Sequence, residues 1–285
     1  MCATCGCGTA EDQGNPRHHH EDASGHDHDH LPGHEHAHLH GHPHPHQGDQ
    51  GHAHPHGPSP EHRAGDDRTL AIEQDILAKN DALAAENRSL FASLRLAVFN
   101  LTSSPGSGKT TLLEALGVRL AGRVRLSVIE GDQETTRDAE RVRAVGIPAV
   151  QINTRSGCHL DAGMVGRAVR ELDPAGGSLL MIENVGNLVC PALFDLGERS
   201  KVVLMSVTEG EDKPLKYPHM FRAARVLLLS KIDLLPHLDF DVTRCLEHAR
   251  RVNPTLRTFL LSAKSGVGVS ELCDWLVDET RGAAA

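Results

Sequence analysis

The run Ser103-Ser104-Pro105-Gly106-Ser107-Gly108-Lys109-Thr110 constrains this chain most. It follows an apolar stretch, Leu96–Leu101, and opens a helix-forming one, Thr110–Ala121. A strand must therefore turn sharply into a helix there, leaving backbone amides free to converge on an anion at the helix N-terminus. Apart from Ser103, which stands where the first glycine would, the run fits the phosphate-binding pattern. Ser104, Pro105, Gly106, Ser107, Gly108, Lys109, Thr110 and Thr111 are the expected nucleotide contacts. Lys109 reaches the β- and γ-phosphates, and the Thr110 hydroxyl holds Mg²⁺.

Around this run the chain alternates. Strands are expected at Leu96–Leu101, Arg125–Ile129, Ala149–Ile152, Ser178–Glu183, Val202–Val207, Val226–Leu229 and Thr258–Leu261. Helices fall between them at Thr110–Ala121, Glu134–Val145, His159–Glu171, Leu215–Ala224 and Val242–Val252, with a last one at Ser270–Thr280. Ahead of the first strand, Ile72, Ile76, Leu83, Leu90 and Leu94 mark the apolar face of a helix from Thr69 to about Phe91. Short apolar strands alternating with helices predict an α/β fold, a mostly parallel sheet with helices on both faces and ligands at the carboxyl ends of the strands.

Up to Arg68 the chain is of another kind. It has no Val, Ile, Phe, Trp or Tyr, and Leu31 and Leu39 are its only larger aliphatics besides Met1. Such a segment cannot bury enough apolar surface to offset the entropy of folding, so residues 1–68 are read as a disordered tail and 69–285 as one domain. The tail holds 17 of the 21 histidines, at positions His18, His19, His20, His26, His28, His30, His34, His36, His38, His40, His42, His44, His46, His52, His54, His56 and His62. Imidazole suits Zn, Cu, Fe and Ni, so the spacing names no single ion. The tract is longer and less regular than an affinity tag. Cys2, Cys5 and Cys7 form a Cys-x-x-Cys-x-Cys knot able to grip one soft metal.

Charge divides at the same place. Eleven acidic residues and three arginines precede Thr69, leaving the remainder nearly neutral within a whole-chain charge of −9. Without a basic face, and with aromatic residues at 3%, nucleic-acid binding finds no support. No apolar run has membrane length and no secretory leader opens the chain, which points to the cytoplasm and reduced thiols.

Two later elements select the base. Ser230-Lys231-Ile232-Asp233 resembles the Asn-Lys-x-Asp signature of GTPases, whose Asp accepts from the guanine ring N–H and amino group, a pair adenine cannot offer. Ser262-Ala263-Lys264 resembles the element whose backbone amide reads the guanine carbonyl. Ser230 replaces the usual Asn, which leaves the link from that residue to the phosphate loop open. Asp132, after the second strand, and Glu183, ending the fourth, are placed with Lys109 as catalytic residues and with Thr110 as Mg²⁺ ligands, while Gly186 frees its N–H for the γ-phosphate. Asp132 could alternatively be a turn residue. Cys245 and Cys273 read as core, and His219, His237 and His248 as surface. Cys158-His159 and Cys190 are weak metal signals by themselves, since a lone buried cysteine is usually a small hydrophobe.

Together the phosphate loop, Glu130-Gly131-Asp132, Cys158-His159, Glu183-Asn184-Val185-Gly186-Asn187-Leu188-Val189-Cys190-Pro191 and the run Glu209–Pro218 resemble the HypB family, the nickel-incorporation GTPases of NiFe-hydrogenase maturation. The resemblance covers the chain from about Thr69, and the amino-terminal cysteines and histidines also occur in that family. It implies GTP, Mg²⁺ and Ni²⁺ as ligands, with Zn²⁺ as an alternative ion. It also implies a GTP-dependent homodimer, the metallochaperone HypA and the hydrogenase large subunit precursor as partners, and Cys158, His159 and Cys190 as ligands at the dimer interface. The loop lacks the extra lysine of MinD-like relatives, so activation by a partner's lysine is not carried over. The alternatives are a nickel storage protein, whose function would sit in the tail, and a urease-type nickel chaperone GTPase.

Overall fold

The structure is a computed structural model that describes residues 60–133 and 137–284. The disorder expected of the tail, together with Cys2, Cys5, Cys7 and the histidines from His18 to His56, lies outside the described residues up to position 59. The first described element is helix α1, Pro60–Ser93. It begins at Pro60, nine residues ahead of the Thr69 start expected for this helix, so its backbone includes His62.

Seven strands follow: β1 Ala97–Ser103, β2 Leu126–Asp132, β3 Ala149–Asn153, β4 Leu179–Glu183, β5 Ser200–Ser206, β6 Ala224–Ser230 and β7 Arg257–Leu260. All pair in parallel, in the order β3-β2-β4-β1-β5-β6-β7. β1, β4 and β5 are buried along their whole length, which is why they read as continuous apolar runs instead of alternating ones. Between the strands lie α2 Lys109–Leu120, α3 Arg137–Ala144, α4 Ala162–Leu172, the single turn α5 Cys190–Leu193, the short α6 Lys213–Lys216 and α7 Pro218–Ala223, and α8 Val242–Val252, with α9 Val269–Ala284 closing the chain.

Two expected helices differ for local reasons. Leu215–Ala224 is broken into α6 and α7 because Pro218 cannot donate to the preceding turn. The helix expected from His159 starts three residues later, where the Asp161 carboxylate accepts the Met164 N–H and caps α4, which leaves His159 in the loop before it.

Helix α1 also buries a face other than the expected one. Ile72, Ile76 and Leu83 are exposed, while Asn80, Ala84, Asn87 and Phe91 point inward. The two asparagines meet backbone, not side chains: Asn80 donates to Asp195 O and accepts from Ala162 N, and Asn87 donates to both Ala162 O and Leu196 O. Leu90 and Leu94 do pack on the core, against the cluster around Ile129, Val169 and Ile182. No described helix is long and apolar enough to cross a membrane.

Candidate functional site: a phosphate cavity beside a Cys-His-Cys cluster

β2, β4 and β1 are neighbours in the sheet, so the loops at their carboxyl ends converge. The phosphate loop joins β1 to α2. Gly106 and Gly108 hold φ of +74° and +99°, left-handed values that a side chain resists, and these two glycines turn the loop into the helix. Lys109 is buried, its Nζ donating to Ser103 Oγ at 2.9 Å and lying 3.9 Å from Glu183 Oε1. Thr110 Oγ1 donates to the same carboxylate at 3.3 Å. The loop opens on a cavity of about 680 Å³ whose wall includes Asp132, Glu183, Gly186 and Cys158. Gly186 packs so close that a Cβ there would stand 3.1 Å from Pro105.

The structure adds Glu130 to this floor, paired in register with Glu183 across β2 and β4. Burial and then the Glu183 charge push the Glu130 carboxyl far up, and burial raises Glu183 as well. Two carboxyls side by side in a buried floor, with Glu130 Oε1 lacking a hydrogen-bond partner, are a donor set that suits a hard cation such as Mg²⁺ beside the Thr110 hydroxyl. In the sequence Glu130 followed an apolar run and stood in the Glu130-Gly131-Asp132 motif, but neither gave it a role. Asp132 lines the cavity and its carboxylate also accepts from Gln133 N at 2.7 Å, so it has both its expected place and a turn role.

A second pair was not foreseen. The Glu209 carboxylate accepts from Ser107 Oγ at 2.6 Å and from Ser206 N, and Lys213 bonds to both Glu209 and Ser104 Oγ. Burial alone would raise Glu209, but the bonds from Lys213, Ser107 and Ser206 outweigh it and hold the carboxyl below its ordinary range. The loop after β5 thereby latches Ser104 and Ser107 of the phosphate loop.

At the far side of the loop, β6 ends in Ser230 and Lys231 follows it. Lys231 adopts a left-handed φ of 59° and its Nζ donates to Gly106 O at 2.7 Å. Asp233 sits in the 3-10 turn Ile232–His237, and Ile232 N approaches Leu261 O at 3.4 Å, bringing Ser262, Ala263 and Lys264 beside it. Ser262 is buried and its hydroxyl accepts from Ser265 N, which shapes that turn.

Cys158, His159 and Cys190 come from loops 32 residues apart yet place one ligand atom each within 4.8 Å of one another. The sulfurs of Cys158 and Cys190 lie 2.8 Å apart and His159 Nδ1 is 3.5 Å from Cys158 Sγ. The His159 ring stacks on Phe194 at 3.8 Å, and burial lowers its pKa against the opposing pull of Asp161, so the ring is neutral and able to bind a metal. Among the described residues no other group of three such side chains forms. Cys245 and Cys273 are buried core residues, and burial pushes the Cys245 thiol up to about 12. His219 and His237 are exposed. His248 is not a plain surface residue: it is half-buried on α8, with Nδ1 2.9 Å from the Glu211 carbonyl oxygen.

Residues 97–259 match the family model described as CobW/HypB/UreG, nucleotide-binding domain. The hydrogenase maturation factor HypB of Escherichia coli (strain K12) is 48% identical over 284 residues, 97% of this chain and 98% of that one. The factor of the same name from Azotobacter chroococcum mcd 1 is 61% identical over 230 residues, 80% of this chain and 75% of the relative. Among solved structures, HypB from Helicobacter pylori in complex with nickel superposes with a TM-score of 0.67 at 40% identity, covering 72% of this chain and 96% of that one.

Proposed function

This chain belongs to the HypB family of hydrogenase maturation factors, and on that premise we propose how its residues carry the work. It is a GTPase that binds nickel and serves hydrogenase maturation. Ser104 to Thr111 and Gly186 hold the phosphates, and Asp233 with the Ser262–Lys264 turn reads guanine. Lys109 neutralises charge on the transferring phosphoryl group, while Asp132, Glu183 and Thr110 hold Mg²⁺. When bound, that ion offsets the charge developing on the β- and γ-oxygens. Glu183 is buried and shares its floor with Glu130, and the proton that the raised pair holds would have to leave for a cation to bind there.

Nickel is the cargo, carried by Cys158, His159 and Cys190, with Zn²⁺ able to occupy the same thiolate and imidazole set. The observation that supports timed delivery is that Cys158 belongs both to the cluster and to the wall of the phosphate cavity. A nucleotide that rearranges this wall alters the ligand set. The tail, residues 1–59 together with His62, supplies further nickel ligands that raise the local supply. A homodimer formed with GTP, docking with HypA and with the large subunit precursor, and action in the cytoplasm complete the reading.

The test is nickel titration of the protein loaded with GDP or with a non-hydrolysable GTP analogue, beside GTP turnover of Lys109→Ala. Delivery requires nickel affinity to differ between nucleotide states and maturation to fail in Lys109→Ala. Maturation that survives Lys109→Ala but fails on removal of the tail would favour storage.

A further inference from the structure

We propose that Asn184 is the positioning residue that makes the metal ligands follow the nucleotide, by tying the γ-phosphate loop to the loop of Cys158 and His159 through one shared oxygen. The inference deepens the function above and rests on its reading that the Cys-His-Cys cluster binds nickel.

Asn184 lies between Glu183 and Gly186 and is 1% exposed. Its Oδ1 accepts two backbone N–H groups, Val185 N at 3.0 Å in its own loop and Leu160 N at 3.1 Å in the residue after His159. Both donors require the oxygen at that position, which fixes the amide orientation. Its Nδ2 then donates to Asn100 Oδ1 at 3.2 Å. From Asn100 the chain of bonds runs on to Glu198 Oε1 at 3.1 Å, and Lys201 Nζ joins that carboxylate to Phe194 O at 2.7 and 2.8 Å. Phe194 is the residue stacked on His159. One buried network thus runs from the phosphate-sensing loop to the backbone on both sides of the metal cluster.

Geometry makes this link directional. An N–H···O bond holds over only a few tenths of an ångström. Movement of Val185 and Gly186 toward or away from a γ-phosphate must either carry Leu160 along or leave a buried N–H without a partner, and buried polar groups resist the second outcome. The packing leaves little slack, because the Leu160 side chain lies where a Cβ on Gly131 would come within 2.8 Å. Leu160 moves with His159, so the imidazole is displaced relative to Cys190. Both bonds that Asn184 Oδ1 accepts come from backbone, so it acts on the metal ligands through Leu160 and Val185.

The experiment uses the full chain with Cys2→Ser, Cys5→Ser and Cys7→Ser, so that a cobalt–thiolate absorption band reports Cys158 and Cys190. Free Co²⁺ is set by a chelator buffer, and the probe is titrated with GDP or a non-hydrolysable GTP analogue bound. The affinities in the two nucleotide states should differ by roughly 5- to 150-fold, the usual span of such couplings. In Asn184→Ala the ratio should fall to within about twofold while the cobalt band and GDP binding persist, and Asn184→Asp, which keeps the acceptor oxygens, should restore it. Amide hydrogen exchange at Leu160, read in every variant, should slow or quicken with nucleotide in the parent and lose that response in Asn184→Ala. A ratio and an exchange response that survive Asn184→Ala unchanged would overturn the role of Asn184 and leave the metal-delivery function standing. A parent protein with equal affinity in both nucleotide states would overturn both.

Discussion

The Ser230 hydroxyl donates to the Ser107 carbonyl at 2.9 Å, so the end of β6 is fastened to the phosphate loop by a side chain one bond shorter than the asparagine usual there. The link the sequence left open is made. Lys231 makes a second one to Gly106, and together they hold the segment at the end of β6 against the phosphate loop. Ser230→Ala leaves the buried Ser107 carbonyl without this donor, at a cost of about 0.5–1.5 kcal/mol. GDP affinity by calorimetry should fall by up to about tenfold, and unchanged affinity would mean the tie contributes nothing to binding.

Asp233 is the residue proposed to choose the base. Asp233→Asn turns one acceptor into a donor, which opposes guanine and accepts xanthine, whose ring carries a carbonyl where guanine has an amino group. Competition binding should show the variant preferring XTP to GTP; a variant still preferring GTP removes Asp233 from the base pocket.

The buried Lys201–Glu198 pair, 2.7 Å apart with side chains 10% and 3% exposed, predicts a stability effect. Glu198→Ala strands the ammonium in the interior and should destabilise by about 3–5 kcal/mol. Urea unfolding of the nucleotide-free protein measures it, and a loss under about 1 kcal/mol would show that Lys201 finds another partner.

His159 gives a pH dependence. Burial favours its neutral form, so its folded pKa lies below the unfolded value and the unfolded chain binds the extra proton in between. Its contribution is fully present above about pH 6.5 and is lost as pH falls toward the folded pKa. In metal-free protein, the melting temperature of His159→Gln should therefore fall less than that of the parent between pH 6.5 and 5. Parallel curves would place the ring in a more solvated setting than its stacking on Phe194 implies.

The tail gives a stoichiometry test. Imidazole binds metal in its neutral form and its ordinary pKa is about 6.5, so a chain beginning at Pro60 should bind fewer nickel ions at pH 7.5 than the full chain, and acidification to about pH 5 should release most of the difference. Equal stoichiometry would remove the tail from metal binding.

What the sequence determined on its own is whatever depends on local order. The seven strands were legible because each is a short apolar run, and the phosphate loop because two glycines and a lysine must stand at fixed offsets. Helix ends were missed even where the sequence carried a signal, Asp161 capping α4 and Pro218 breaking α6 from α7. Tertiary structure decided the rest. Glu130 joined the floor of the phosphate cavity only because β2 lies beside β4, and Cys158 met Cys190 across 32 residues that no spacing rule connects. Helix α1 turned Asn80 and Asn87 inward, against its own apolar pattern, because the surface it covers exposes the backbone of Ala162, Asp195 and Leu196. Periodicity along one chain records which residues avoid water, whereas a buried carbonyl or N–H on another segment requires a polar partner, and where that segment lies is fixed only when the sheet closes.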